Sequence, residues 1–95
     1  MGRWQYTLKF GKALRNAIDE ENYSKILDCL VGCFSEINKA LPDIYDNYEL
    51  DSDLDDIFVI KDNYEDGEDI EDDLNYKLED LYDLCDNLGV WVSGV

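Results

Sequence analysis

Apolar residues recur along the last third of the chain at Ile70, Leu74, Leu78, Leu81, Leu84, Cys85 and Leu88. Steps of three and four place them on one side of a helix turning about 100° per residue. The pattern predicts a long acidic helix over 68–88. Its other side gathers Asp69, Asp72, Asp73, Glu79, Asp80, Asp83 and Asp86, with Tyr76 in the middle at about 240° on the wheel. Gly89 follows where a left-handed cap belongs, and Val90 and Trp91 turn apolar surface back after it.

At the other end, Trp4, Tyr6, Leu8 and Phe10 alternate as a strand would, while Tyr6, Phe10, Leu14 and Ile18 follow helical steps. The helical steps run further, so a helix over 5–20 is expected, interrupted by Gly11. A short turn follows, with Asn22 or Ser24 as the next N-cap. The second helix has the cleanest pattern: Ile26, Leu27, Leu30, Phe34, Ile37 and Leu41 on one face, Lys25, Asp28, Ser35, Glu36 and Lys39 on the other. Pro42 disfavours helix at Leu41 and stops it. So short a turn makes 5–41 an antiparallel helical hairpin.

Residues 42–61 are ambiguous. Ser52 with Asp55 three later is a capping-box pattern, and Leu54, Ile57 and Phe58 suit a short helix. The run Ile57–Ile60 suits a brief buried strand equally well. The fold expected is mainly α: a small bundle of three to four helices, with the hairpin at 5–41, a short helix or strand at 52–60 and the acidic helix at 68–88. Ninety-five residues supply one core, so 1–95 reads as a single acidic helical domain.

Charge changes the picture. The chain is 45% hydrophobic, too apolar for a disordered acidic tail, yet its net charge is −16. Small domains usually stay within about 2–8 charges of neutrality, because self-repulsion weakens the compact state. Residues 1–40 are nearly neutral, whereas residues 41–95 hold nineteen acids against Lys61 and Lys77. Such a surface is repelled by nucleic acid and by anionic lipid. No apolar run has the length of a membrane span, and the N-terminus lacks a signal peptide's unbroken apolar core. Three cysteines, Cys29 and Cys33 being four apart on a helix, make no disulfide framework. A cytoplasmic monomer is the expectation.

Catalytic chemistry finds little support. The absence of histidine removes the commonest general base and most zinc sites. The cysteines lie on apolar faces, where a free thiol acts as a small hydrophobe. Paired carboxylates suit glycoside hydrolysis, but that reaction needs a cleft holding two of them apart. Asp51, Asp53 and Asp55 occupy positions 1, 3 and 5 of a calcium-loop register, yet position 6 is Asp56 and position 12 is Asp62. A register from Asp62 puts Gly67 correctly at 6 but Tyr64 at 3 and Asp73 at 12. No cofactor, metal or enzymatic activity is expected.

The acidic face remains. Exposed helices usually carry opposite charges at i,i+4, and like charges there cost a few tenths of a kcal/mol each. A helix of about 21 residues is about 32 Å long, a length over which duplex DNA carries about 19 phosphates. Carboxylates at i,i+3 or i,i+4 lie about 5–6 Å apart, close to the phosphate spacing along one strand. Small size, extreme acidity and a helical pattern resemble phage-encoded inhibitors of host defence, the anti-CRISPR and other DNA-mimic proteins. The segments WQYTLKFGKALRNAIDEENYSKIL and LYDLCDNLGVW look like small proteins of Firmicutes phages. That resemblance implies a non-enzymatic inhibitor in the host bacterial cytoplasm. Its partner would be a CRISPR effector nuclease, met at the basic DNA- or PAM-binding groove. An immunity protein or antitoxin for a basic nuclease is the alternative within the same chemistry; a structural or assembly module is the alternative outside it. The expected partner-binding residues are Asp69, Asp72, Asp73, Tyr76, Glu79, Asp80, Asp83 and Asp86.

Overall fold

Helix α2, Tyr23–Ala40, is the element on which the others pack. The structure, a computed structural model, describes residues 6–41 and 50–92. In chain order it runs β1 (Tyr6–Thr7), α1 (Gly11–Asp19), α2, α3 (Leu50–Glu65), α4 (Glu71–Leu88) and β2 (Val90–Trp91). The protein is mainly helical, a small bundle of four helices with one short strand pair among the described residues. Helices α1, α3 and α4 each contact α2. Its Leu27, Leu30, Cys33, Phe34 and Ile37 are wholly buried. Each side chain of the size of Leu or Phe buried this way stabilises the fold by about 1.5–3 kcal/mol.

The first helix starts later than the spacing suggests. Residues 6–8 take the extended alternative: β1 pairs in parallel with β2, Tyr6 opposite Val90 and Thr7 opposite Trp91. The Leu8 N–H donates to the Trp91 carbonyl at 2.9 Å, and Leu8 and Val90 are buried. The reason lies far away in sequence, because the strand exists only where the end of the chain returns to pair with it. Trp4 and Gln5, where the alternation and the expected helix begin, lie outside the described residues, as do residues 42–49.

Turn chemistry at the α1–α2 junction follows the sequence. Asn22 caps α2, its side chain accepting from the Lys25 N–H at 3.2 Å. The Asn22 N–H reaches back to Ala17 and the Glu21 N–H to Ile18, which places Glu21 in the left-handed region at φ 54°. The same pattern closes α3, where Glu68 N–H bonds Asn63 and Gly67 N–H bonds Tyr64, with Gly67 at φ 88°. Gly89 caps α4 at φ 73°, as its position predicts. Within α2, Gly32 is required by contact: a Cβ there would stand 2.8 Å from the Phe10 ring.

The ambiguous segment is helical over sixteen residues, longer than the 52–60 expected. Ile57 and Ile60 bury against the core, while Phe58 and Val59 face outward. Extended propensity loses because only two of the four apolar residues find a buried place, and helical spacing supplies it. Ser52 is the third residue of α3, so it does not cap the helix. Helix α4 begins at Glu71, three residues after the expected start, since the α3 cap occupies Gly67 and Glu68.

Candidate partner-binding face

Helix α4 buries Leu74, Lys77, Leu78, Leu81, Leu84, Cys85 and Leu88. Glu71, Asp72, Asp73, Glu79, Asp83 and Asp86 are exposed, and Asp80 is half-buried at the edge. Tyr76 stands out among them with 68% of its surface exposed. Six of the eight expected residues, Asp72, Asp73, Tyr76, Glu79, Asp83 and Asp86, are therefore exposed on one helix. Asp69 differs: it precedes α4, and its Oδ1 accepts the Glu71 N–H at 3.0 Å, ordering the turn before the helix. Asp80 also differs, because it is drawn into an internal ion cluster.

That cluster centres on Lys77, which is only 7% exposed. Its Nζ lies 3.2 Å from Asp53 and 2.9 Å from Asp56, both on α3, and 3.3 Å from Asp80 on its own helix. The i,i+3 spacings of Asp53 with Asp56 and of Lys77 with Asp80 put each pair on one face of its helix. Burial alone would lower the Lys77 pKa; hydrogen bonds to Asp56 and Asp53, with help from Asp80, outweigh it and hold the group at about 12. Lys77 thus stays charged and ties α3 to α4. The sequence carried a signal for this, since Lys77 falls at about 340° on the helical wheel, inside the apolar arc.

Charge is segregated in space as well as in sequence. From Leu50 to Leu88 there are sixteen acids and two lysines. Lys77 is spent internally, and Lys61 pairs with Asp28 of α2 at 3.3 Å. Over α1 and α2 the acids and bases nearly balance. Neither lysine reaches Asp72, Asp73, Glu79 or Asp83, which stand exposed along α4.

Between α3 and α4 runs a shallow groove of about 280 Å³, lined by Asp56, Val59, Ile60, Asn63, Asp73, Tyr76 and Lys77. Val59 is 58% exposed on one wall and Tyr76 rises from the other. Exposed apolar groups inside so acidic a surface are what an interface anchor looks like.

A larger cavity of about 460 Å³ lies across the molecule, lined by Tyr6, Lys9, Phe10, Ser35, Glu36 and Lys39 among others. Its carboxylate is structural. Glu36, expected on the solvated face of α2, is 9% exposed. It accepts from the Tyr6 hydroxyl at 2.6 Å, the Lys9 N–H at 2.7 Å and the Phe10 N–H at 3.1 Å. It therefore anchors the turn before α1, which has no side-chain cap of its own. The bond to Glu36 also raises the pKa of Tyr6. On a helical wheel Glu36 sits beside Cys29, at the rim of the apolar arc, and nothing nearer in sequence marks it.

The three cysteines are buried thiols. Among the described residues no His, Cys, Asp or Glu side chains gather in a metal-binding group. Asp51, Asp53 and Asp55 lie within α3, a regular helix and not an ion-binding loop. No described helix is long and apolar enough to cross a membrane. The chain matches no family model, no curated protein and no solved structure.

Proposed function

We propose that the protein is a non-enzymatic inhibitor whose α3–α4 face imitates a phosphate backbone and occupies the basic DNA- or PAM-binding groove of an RNA-guided nuclease. One observation carries the reading: both lysines of the acidic half are paired, Lys77 with Asp53, Asp56 and Asp80 and Lys61 with Asp28, so neither neutralises Asp72, Asp73, Glu79 or Asp83 on the exposed side of α4. A fold selected for stability alone would place cations among those acids. Lysines and arginines that hold phosphates can instead meet Asp72, Asp73, Glu79 and Asp83 along α4, with Tyr76 as an uncharged anchor in their midst. Lys77 fixes the two helices that carry these groups, so little ordering is left for the moment of binding.

The test is displacement. A labelled PAM-containing duplex is bound to a guide-loaded Cas9-type nuclease, and the protein is titrated in at rising salt. Release of the duplex at low salt, weakening steeply as salt rises, supports the reading. Retention of the duplex at low salt with the protein in excess would overturn it.

A further inference from the structure

We infer that the groove between α3 and α4 is a receptor for an arginine side chain of the basic partner, with the guanidinium stacked on Tyr76. This rests on the reading of the acidic face as the binding surface. It adds where on that face the partner is held and by which residue type.

Size is the first argument. At about 280 Å³ the groove falls below the range of about 300–1,000 Å³ usual for drug-sized ligands, and it is shallow. It suits one or two side chains better than a free small molecule. Lining chemistry is the second. The walls are apolar at Val59, Ile60 and Tyr76, polar at Asn63 and anionic at Asp56 and Asp73. A flat cation is the group that uses all three, because guanidinium is weakly hydrated, stacks on aromatic faces and donates to carboxylates from its edge.

Charge balance is the third argument. Lys77 reaches the groove, but three carboxylates surround it, leaving a local charge of −2 before Asp73 is counted. The groove thus remains attractive to a cation. An apolar partner helix fits poorly, since it would desolvate Asp73 without pairing it. An ammonium group satisfies the carboxylates but gains less from the aromatic and apolar walls, being compact and strongly hydrated. The chemistry therefore favours arginine over lysine.

The experiment needs no knowledge of the partner. Binding of nonaarginine and nonalysine peptides is measured by calorimetry at matched ionic strength, with wild-type protein and with Tyr76→Leu. Thermal melts accompany each titration, and the exposure of Tyr76 predicts an unchanged fold. Wild type should bind nonaarginine about two- to fivefold more tightly than nonalysine, as expected of one exposed cation–π contact. Tyr76→Leu should lose that preference, its affinity for nonaarginine falling further than its affinity for nonalysine. Equal, salt-sensitive binding of both peptides to wild type would overturn the arginine groove while the acidic-face reading stands. A preference that survives Tyr76→Leu would overturn it in the same way. Binding of neither peptide would overturn both.

Discussion

Lys77 of α4 and Asp56 of α3 meet at 2.9 Å, and the contact joins the two most acidic helices of the molecule. Each helix carries a large excess of negative charge, so their repulsion opposes packing. One buried ammonium shared among Asp53, Asp56 and Asp80 converts part of that repulsion into attraction. Asp72, Asp73, Glu79 and Asp83 lie outside the cluster and stay exposed.

Lys77→Met should therefore destabilise the protein by about 1–3 kcal/mol, less than for a fully buried pair because its carboxylates are partly exposed. Adding Asp56→Asn should recover part of the loss, since it removes a charge left without its partner. Urea unfolding of both variants measures this. Equal stability of Lys77→Met and wild type would show that the ion cluster is incidental.

Glu36→Gln tests the other buried charge. The amide retains one acceptor but presents an NH2 group to backbone N–H donors, so the expected loss is about 1–3 kcal/mol. Tyr6→Phe removes a single donor and should cost less, about 0.5–1.5 kcal/mol. Thermal melts with backbone circular dichroism give both values.

Alkali should unfold the protein through its thiols. Burial pushes Cys85 from 9.0 up to about 12, and Cys33 higher still. A raised acid of this kind contributes stability that is complete below the unfolded pKa, near pH 9, and is lost as pH climbs toward the folded value. Each thiol should account for about 1.4 kcal/mol of lost stability by about pH 10. Cys85→Ala should flatten the decline between about pH 8 and 10 in paired urea melts. Lys77, raised to about 12, keeps its ion pairs throughout that window. Native Cys33 and Cys85 should also resist thiol reagents until the chain unfolds.

Asp72, Asp73, Glu79 and Asp83 are the residues whose loss should separate binding from folding. Neutralising them relieves repulsion and should leave stability equal or slightly higher. Asp80→Asn belongs apart from that group, because it also weakens the Lys77 cluster. Asp80→Asn should lower the melting temperature, whereas the quadruple variant should leave it equal or slightly raised.

Much of this was legible in the pattern of residues. The apolar stripes of α2 and α4, the Asn22 cap and the Gly89 stop are local features, and local periodicity dictates them. Exposure of Tyr76 follows from the same wheel. What escaped was non-local. The strand at Tyr6–Thr7 depends on Val90–Trp91, the burial of Glu36 depends on Tyr6 and the turn beside it, and the role of Asp80 depends on Lys77, which bonds Asp53 twenty-four residues before it. Helix α3 is weakly patterned because, among its described side chains, it buries only Ile57 and Ile60, and the acids on it hide how many serve the fold.

The most direct test neutralises one face at a time. The Asp72, Asp73, Glu79, Asp83→Asn/Gln variant is compared in the duplex-displacement assay with a control carrying Asp19, Glu20 and Glu21 as amides at the α1–α2 turn. Both remove acids from exposed positions. The account predicts that the α4 variant loses displacement, by about 1–3 kcal/mol for each central contact, while the control stays close to wild type. Equal loss in the two would mean that bulk charge alone drives binding, and full activity of the α4 variant would contradict the assignment of this face.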